Sequence, residues 1–319
     1  MPVRVNEVRV RRFAEYFAEI GQVSPFDFCS AGEGTLFPVR GCAGVIDYFF
    51  FVTAHQFGFW HLDGGRYGGP MIAPVDGVPR KGSDFIVACA TRAWNRDPLF
   101  FAREELARAG EEGWAGIFRD DAGVNPLPMW PEHREIIQRY AAWLRAAPRP
   151  PAELVAAANA APEPLKAFLD EAGKVPGYAE DPMRKKLQLL AIILENRPEH
   201  FLRVTDPWNH RPIIDYHLQR SALRTGLVDV DDARVLADLE ARRLVSADTE
   251  QDIRSAVYHA VARLVEQSGM SVAAIDYFFF MNRTRCPEMR EPDCPSCPVR
   301  EFCARRTKLF QPVFRTEAY

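Results

Sequence analysis

Residues 4–20 place Val8, Phe13, Tyr16, Phe17 and Ile20 near helical spacing among basic and acidic neighbours, which predicts a first amphipathic helix. Proline and glycine break that pattern through Gly44. From Val45 to Trp60 the chain is so densely apolar and aromatic that periodicity alone fits a buried helix as well as a strand. The glycine-rich stretch Gly64 to Gly82 reads as a loop, and Ser83 is placed to cap a helix running to about Trp94. Its inward face would carry Phe85, Val87 or Ala88, and Cys89. Phe100 to Ala109 has helical spacing, and Pro126, Pro128 and Pro131 mark a turn before a helix from about Pro131 to Leu144.

Ala146 to Pro164 is rich in alanine and proline and predicts one or two short helices. It is the nearest thing to an internal boundary. Asp181-Pro182 opens a helix whose Met183, Leu187, Leu189, Leu190, Ile192, Ile193 and Leu194 are apolar nearly all round, the mark of a centrally buried helix. Further helices are expected from Asn209-His210-Arg211-Pro212, over Asp231 to Leu244, over Thr249 to Glu266, and over Val272 to Asn282. With few strand signals and no repeat, the expected class is mainly α. The expected organisation is a body over residues 1–282, with a lobe boundary near 146–180, and a tail over 283–319.

Composition narrows the function classes only a little. Of 319 residues 47% are apolar and 26% charged, and the net charge of −3 gives no global attraction to nucleic acid. Locally the balance reverses, because Arg283, Arg285, Arg290, Arg300, Arg305, Arg306 and Lys308 outnumber the four acids of their stretch. Asp47, His55 and Gln56 interrupt the best membrane-span candidate, so a soluble cytoplasmic protein with no membrane partner and no obligatory protein partner is expected.

The tail carries the strongest chemical signal. Cys286, Cys294, Cys297 and Cys303 are separated by seven, two and five residues, and Pro287, Pro292, Pro295 and Pro298 stiffen the loops between them. This is the layout of a four-thiolate metal site. Disulfides are disfavoured by the odd total of seven cysteines, by the absence of a signal peptide and by the scattered, apolar settings of Cys29, Cys42 and Cys89. A 4Fe-4S iron–sulfur cluster is the favoured occupant and zinc the alternative.

A second candidate lies upstream. In Pro212-Ile213-Ile214-Asp215-Tyr216-His217-Leu218-Gln219-Arg220, proline suits a first helical position, and Ile214, Leu218 and Ala222 would form an inward stripe with Asp215 beside it. Asp215 then feels the positive end of the helix dipole, which favours its ionised form. A helix-start carboxylate with no catalytic role fits the same residues.

The cysteine spacing resembles the cluster loop of the endonuclease III and adenine glycosylase family, whose first gap is usually one residue shorter. The Asp-x-His start of a helix, followed by Arg220, resembles the segment that supplies the catalytic aspartate there. A departure accompanies the match: Val204-Thr205-Asp206-Pro207-Trp208-Asn209-His210-Arg211 stands where those DNA enzymes have a glycine-bearing hairpin, and it has no glycine. The lysine of the bifunctional members lies in that hairpin, so the resemblance implies no strand-cleaving lyase activity.

A broader likeness is to the queuosine 5'-phosphate N-glycosidase, or queuosine salvage, family, similar in fold to the helix-hairpin-helix glycosylases. It rests on Asp47 to Trp60, Lys81-Gly82-Ser83 through Arg92-Ala93, and Ile117-Phe118-Arg119 followed by Pro126-Leu127-Pro128. Gln56-Phe57-Gly58-Phe59-Trp60, Arg184-Lys185-Lys186-Leu187-Gln188 and Ile214-Asp215-Tyr216-His217 match its aromatic, lysine-bearing and aspartate-bearing elements. The resemblance implies a two-lobed helical fold and cleavage of an N-glycosidic bond in a deazaguanine-like nucleoside or nucleotide. Asp215 would be the catalytic carboxylate and Lys185 its partner, although periodicity does not separate Lys185 from Lys186. His55, Gln56, Phe57, Trp60 and His217 are the candidates for holding the substrate. The alternatives are a monofunctional DNA base glycosylase and a non-catalytic nucleic-acid-binding iron–sulfur protein.

Overall fold

A computed structural model describes residues 3–21, 23–29 and 36–319. Among the described residues the protein is mainly α, with twelve α-helices and a few short strands. The chain divides into two compact units.

The first unit comprises the described residues of Met1–Phe26, Leu62–Gly69 and Arg211–Arg315. It holds strand β1 (Val3–Val5) and helix α1 (Glu7–Ile20) at its start. The expected first helix over 4–20 is therefore shorter. Three residues of Val-Arg-Val pair antiparallel with a later strand, in the register Val3↔Val230, Arg4↔Asp229, Val5↔Val228, and Asn6 caps the helix by accepting from the Arg9 amide.

The second unit comprises the described residues of Asp27–His61, Pro70–His210 and Thr316–Tyr319. Its centre is α2 (Val45–Ala54), whose Tyr48, Phe49, Phe50 and Phe51 are fully buried. The ambiguous Val45–Trp60 segment is thus helical to Ala54, turns, and begins strand β2 (Trp60–Asp63). The glycine-rich stretch is not a plain loop. It contains β3 (Arg66–Pro70), which falls almost wholly in the first unit, and β4 (Ile72–Val75) and β5 (Val78–Lys81) in the second, where glycines provide the turns between strands too short to show periodicity. Helix α3 (Ser83–Arg96) follows, but Ser83 is its first helical residue rather than its cap; Gly82, at φ +50°, holds the cap position without a side-chain bond. Phe85 and Cys89 are buried on α3 as expected.

Helices α4 (Arg103–Ile117) and α5 (Trp130–Ala146) pack as a pair, as do α6 (Pro151–Asn159) and α7 (Pro164–Ala172). The alanine- and proline-rich stretch is therefore built into the second unit, and the division falls near residue 210 rather than within 146–180. Asp206 anchors this region, because both its oxygens accept amides at the start of α7, from Leu165 and Lys166 at 2.9 Å each. Helix α8 (Lys185–Asn196) starts later than expected, since Asp181 folds the preceding turn by accepting from the amides of Met183 and Lys185.

In the first unit, α9 (Tyr216–Thr225) leads through Gly226 to β6 (Val228–Val230), then to α10 (Ala233–Glu240), α11 (Ala247–Ser268) and α12 (Val272–Met281). The stripe expected on α9 is present, with Ile214, Leu218 and Ala222 in one core with Phe13, Phe17, Val257 and Phe279. The cysteine tail belongs to this core rather than forming a separate appendage. The Phe302 ring meets Phe13 edge-on at 4.8 Å, and Cys297 and Cys303 pack beside it.

Gly226 joins helix to tail. It adopts φ +82°, and a Cβ there would lie 2.7 Å from the Ala304 methyl. Substituting Gly226→Ala should combine left-handed backbone strain with that clash, destabilising the protein by about 1–3 kcal/mol. Thermal unfolding measures this, with Gly123→Ala, where φ is +78° but no atom lies within 4 Å, as the control for backbone strain alone.

Candidate active-site and cysteine-cavity residues

The first unit's candidate residues lie on and around α9. Pro212, Ile213 and Ile214 are not helical; they run in extended form to Asp215, which is the N-cap rather than a residue of the first turn. Proline cannot donate an amide, and Ile213 and Ile214 bury their side chains, so the helix starts only where Asp215 accepts the Leu218 amide at 2.9 Å through Oδ1. The carboxylate is half-buried at the positive end of the helix.

The same helix buries a polar stripe. His217, Arg220 and Arg224 recur at three- and four-residue spacing, and Arg220 and Arg224 are buried. Their partners come from the segment after α12. Nη1 of Arg220 lies 3.6 Å from Glu288 Oε1 and donates to Gln311 Oε1 at 3.3 Å. His217 Nδ1 stands 3.1 Å from both Glu288 Oε1 and Arg220 Nη2. A neutral His217 accepts there from Arg220, and Glu288 Oε1 lies within ion-pairing distance of both. Burial lowers the Arg220 pKa, Glu288 opposes that, and Arg224 reinforces it.

Arg224 is where helix and cysteines meet. Its Nη1 donates to Pro287 O at 2.7 Å and to Cys286 Sγ at 3.4 Å, its Nε donates to Leu309 O at 2.8 Å, and its own carbonyl accepts from the Cys303 thiol at 3.8 Å and the Arg306 amide at 3.0 Å. The first and last cysteines of the motif are thus held by one residue. Cys286, Cys294, Cys297 and Cys303 all border one cavity of about 30 Å³, together with Arg224, Arg285, Arg300 and Arg305. That is more than the ~10–15 Å³ that admits one water.

Among the described residues no three His, Cys, Asp or Glu side chains are drawn to the spacing of a single metal ion. The shared cavity and the mutual electrostatics of the thiols are the better guide to what the four have in common. Burial raises the Cys294 and Cys303 thiol pKa values, and the other cysteines raise them further. Four thiols bordering one cavity are a donor set that fits a thiolate-bound metal centre. The Arg305 amide, 3.3 Å from Cys303 Sγ, adds a hydrogen bond to sulfur of the kind that tunes such centres.

The second unit gathers the other candidates at the carboxyl end of α2. Lys185 Nζ donates to Gln56 O at 3.4 Å and Lys186 Nζ to Ala54 O at 3.0 Å, so two ammonium groups of α8 meet carbonyls at the negative end of another helix. Both lysines are buried, and neither reaches solvent along its stem. Lys186 Nζ also lies over the Phe57 ring at 4.8 Å; that ring stacks on His133 at 4.0 Å, and His133 Nδ1 is 3.0 Å from His55 Nδ1. Burial, then neighbouring cations, pushes His133 down to about 3 and His55 well below its usual range, so both rings are neutral and one donates to the other. Burial likewise lowers Lys186 to about 7, against the opposing pull of Glu180.

His55 and Phe57 are enclosed among protein groups, while Gln56 and Trp60, at 8% and 6% exposed, keep a little surface. Gln56 Nε2 donates to Val52 O at 3.3 Å, and Lys81 Nζ lies 5.9 Å from the Trp60 ring centre. Sequence reasoning passed over His133, although its position on the same face of α5 as Ile136, Ile137 and Tyr140 was readable. Glu288, Gln311 and Arg224 had no sequence signal, because their significance lies in contacts made across sixty residues or more. No protein-family model and no curated protein matches the sequence.

Two outcomes follow. Between pH 7 and about 10 the unfolded chain holds a proton on Lys186 that the folded chain does not, so this residue makes stability rise with pH across that window. Lys186→Met should raise the melting temperature at pH 7, corresponding to a few kcal/mol, and flatten that dependence. Anaerobically purified protein should contain about four irons and matching sulfide per chain, and Cys286→Ser should lower both. One zinc per chain and no iron would replace the cluster by the alternative metal.

Proposed function

We propose that this chain hydrolyses the N-glycosidic bond of a modified, deazaguanine-like nucleoside or nucleotide, on a fold related to the helix-hairpin-helix glycosylases and with an iron–sulfur cluster at Cys286, Cys294, Cys297 and Cys303. The observation that supports this reading is the arrangement of α9. A half-buried carboxylate caps its first turn, and its last turn grips the first and last cysteines. The order of aspartate and cysteine loop that prompted the resemblance thereby acquires a physical basis.

Cleaving such a bond leaves positive charge on the sugar and negative charge on the departing base. Asp215 would oppose the first with its free oxygen and take a proton from the attacking water. The second calls for a cation, which the resemblance assigns to Lys185. Lys186, which burial lowers to about 7, is the neighbouring amine on the same helix. The resemblance makes Gln56 and Trp60, which keep a little surface in the second unit, the candidates for meeting the base. His217 would hold α9 in place through Arg220 and Glu288. A bound cluster would supply folding energy to a proline-stiffened loop.

The glycine-free stretch favours a free nucleotide over duplex DNA. Its Pro207–Asn209 turn is tied to Asp206, which is engaged with the start of α7 and with Asn209, so it offers no glycine-framed amides to a phosphate. The second reading, a monofunctional DNA base glycosylase, draws on the arginines around the cysteine cavity.

The test is base release from queuosine, queuosine 5'-phosphate and a panel of damaged or mismatched duplexes by the anaerobically purified protein. Release from the free nucleoside or nucleotide, abolished in Asp215→Asn with an unchanged circular dichroism spectrum, is the expected result. Full turnover by Asp215→Asn would remove the catalytic assignment. Release only from duplex would establish the second reading.

A further inference from the structure

A groove of about 760 Å³ lies in the first unit, lined by residues of β1, β6, α10 and the chain after Cys303. Its volume is that of a small-ligand site. Along one wall Arg4 and Arg306 are held in place rather than free. Asp229, 8% exposed, accepts from Asn6 Nδ2 at 2.9 Å, meets Arg4 Nη2 at 3.2 Å and accepts from Arg306 Nη2 at 2.5 Å. Arg4 Nε also donates to Asp231 at 2.9 Å, and Arg306 Nη1 to Val228 O at 3.0 Å.

Asp229 and Asp231 thus spend their charge in orienting two guanidinium groups. Arg305 and Lys308, on the same lining, are exposed, and among the described residues neither side chain has an ion-pair partner. Glu240 is the one lining carboxylate not engaged with a lining arginine. Val230, Leu236 and Leu309 supply apolar surface beside these cations. Fixed guanidinium forks flanked by mobile cations suit a phosphate, which accepts several charge-assisted hydrogen bonds at once.

We infer that this groove binds a phosphate-bearing ligand, with the phosphate between Arg305, Arg306 and Lys308 and the uncharged part of the ligand against Val230, Leu236 and Leu309. The site does not depend on the proposed cleavage reaction and involves neither Asp215 nor the lysines of α8. Phosphates of a free nucleotide and of a nucleic-acid backbone share this chemistry, and the probes separate them.

Isothermal titration of the full-length protein with inorganic phosphate, a mononucleotide and a short single-stranded oligonucleotide tests the inference. Wild type, Lys308→Gln, the double variant Arg305→Gln/Lys308→Gln and Asp215→Asn are compared. At least one probe should bind wild type, about tenfold more weakly in the double variant, with an intermediate loss in Lys308→Gln and none in Asp215→Asn. Because Arg305 also borders the cysteine cavity, Lys308→Gln, which does not, keeps the result independent of any disturbance there. A mononucleotide response without an oligonucleotide response identifies a small ligand, and the reverse identifies a nucleic-acid backbone. Absence of binding by every probe overturns the inference. So does binding unchanged in both groove variants, or binding lost in Asp215→Asn but retained in them, which would place the ligand at the proposed catalytic site.

Discussion

The first unit depends on a helix that buries two guanidinium groups. An arginine removed from water is strongly unfavourable unless its donors are met, and deleting one partner of such a buried pair costs about 3–5 kcal/mol. Arg220 and Arg224 therefore require Glu288, Gln311 and the carbonyls of Pro287 and Leu309 to be where they are. Those groups all lie in the tail, within the cysteine motif and just beyond it. The helix thus dictates the course of residues 286–311 before any metal is considered. The cavity bordered by the four thiols is a consequence of that requirement.

The second unit solves a related problem with lysines. The carboxyl end of α2 leaves carbonyls without intrahelical partners in an aromatic interior from which water is excluded. Lys185 and Lys186 meet carbonyls there, and the stacked Phe57 and neutral histidines close the surroundings. An apolar residue at 186 would pack at less electrostatic cost, so the ammonium is retained against a stability penalty. Groups kept at such a penalty concentrate where chemistry or positioning requires them.

Much of the helical framework was legible because its apolar positions recur with helical period, as Ile214, Leu218 and Ala222 illustrate. The failures have a common cause. β1, β4 and β5 span three or four residues each, too few for a period; β1 pairs with β6 far along the chain, and β4 and β5 pair only with each other. The sequence places the starts of α8 and α9 early, at Asp181-Pro182 and at Asn209–Pro212, whereas Asp181 accepts backbone amides ahead of α8 and Asp215 accepts one as the cap of α9. In the candidate sites, the cysteines and Asp215 were readable as motifs. His133 was readable as a histidine on an apolar face. Glu288 and Arg224 were invisible, since contacts between residues far apart in sequence leave no local pattern.

The charge of the tail now has a structural division of labour. Arg306 and Arg224 are structural, each engaged with carbonyls or a buried partner. Arg285 and Arg300 border the cysteine cavity. Arg305 borders both that cavity and the groove beyond it, and Lys308 borders the groove alone. The locally basic stretch is therefore three populations of cations with different obligations, and a ligand in the groove would meet Arg306, oriented by Asp229, beside the exposed Arg305 and Lys308. Net charge near −3 conceals this, because the compensating acids lie elsewhere on the chain.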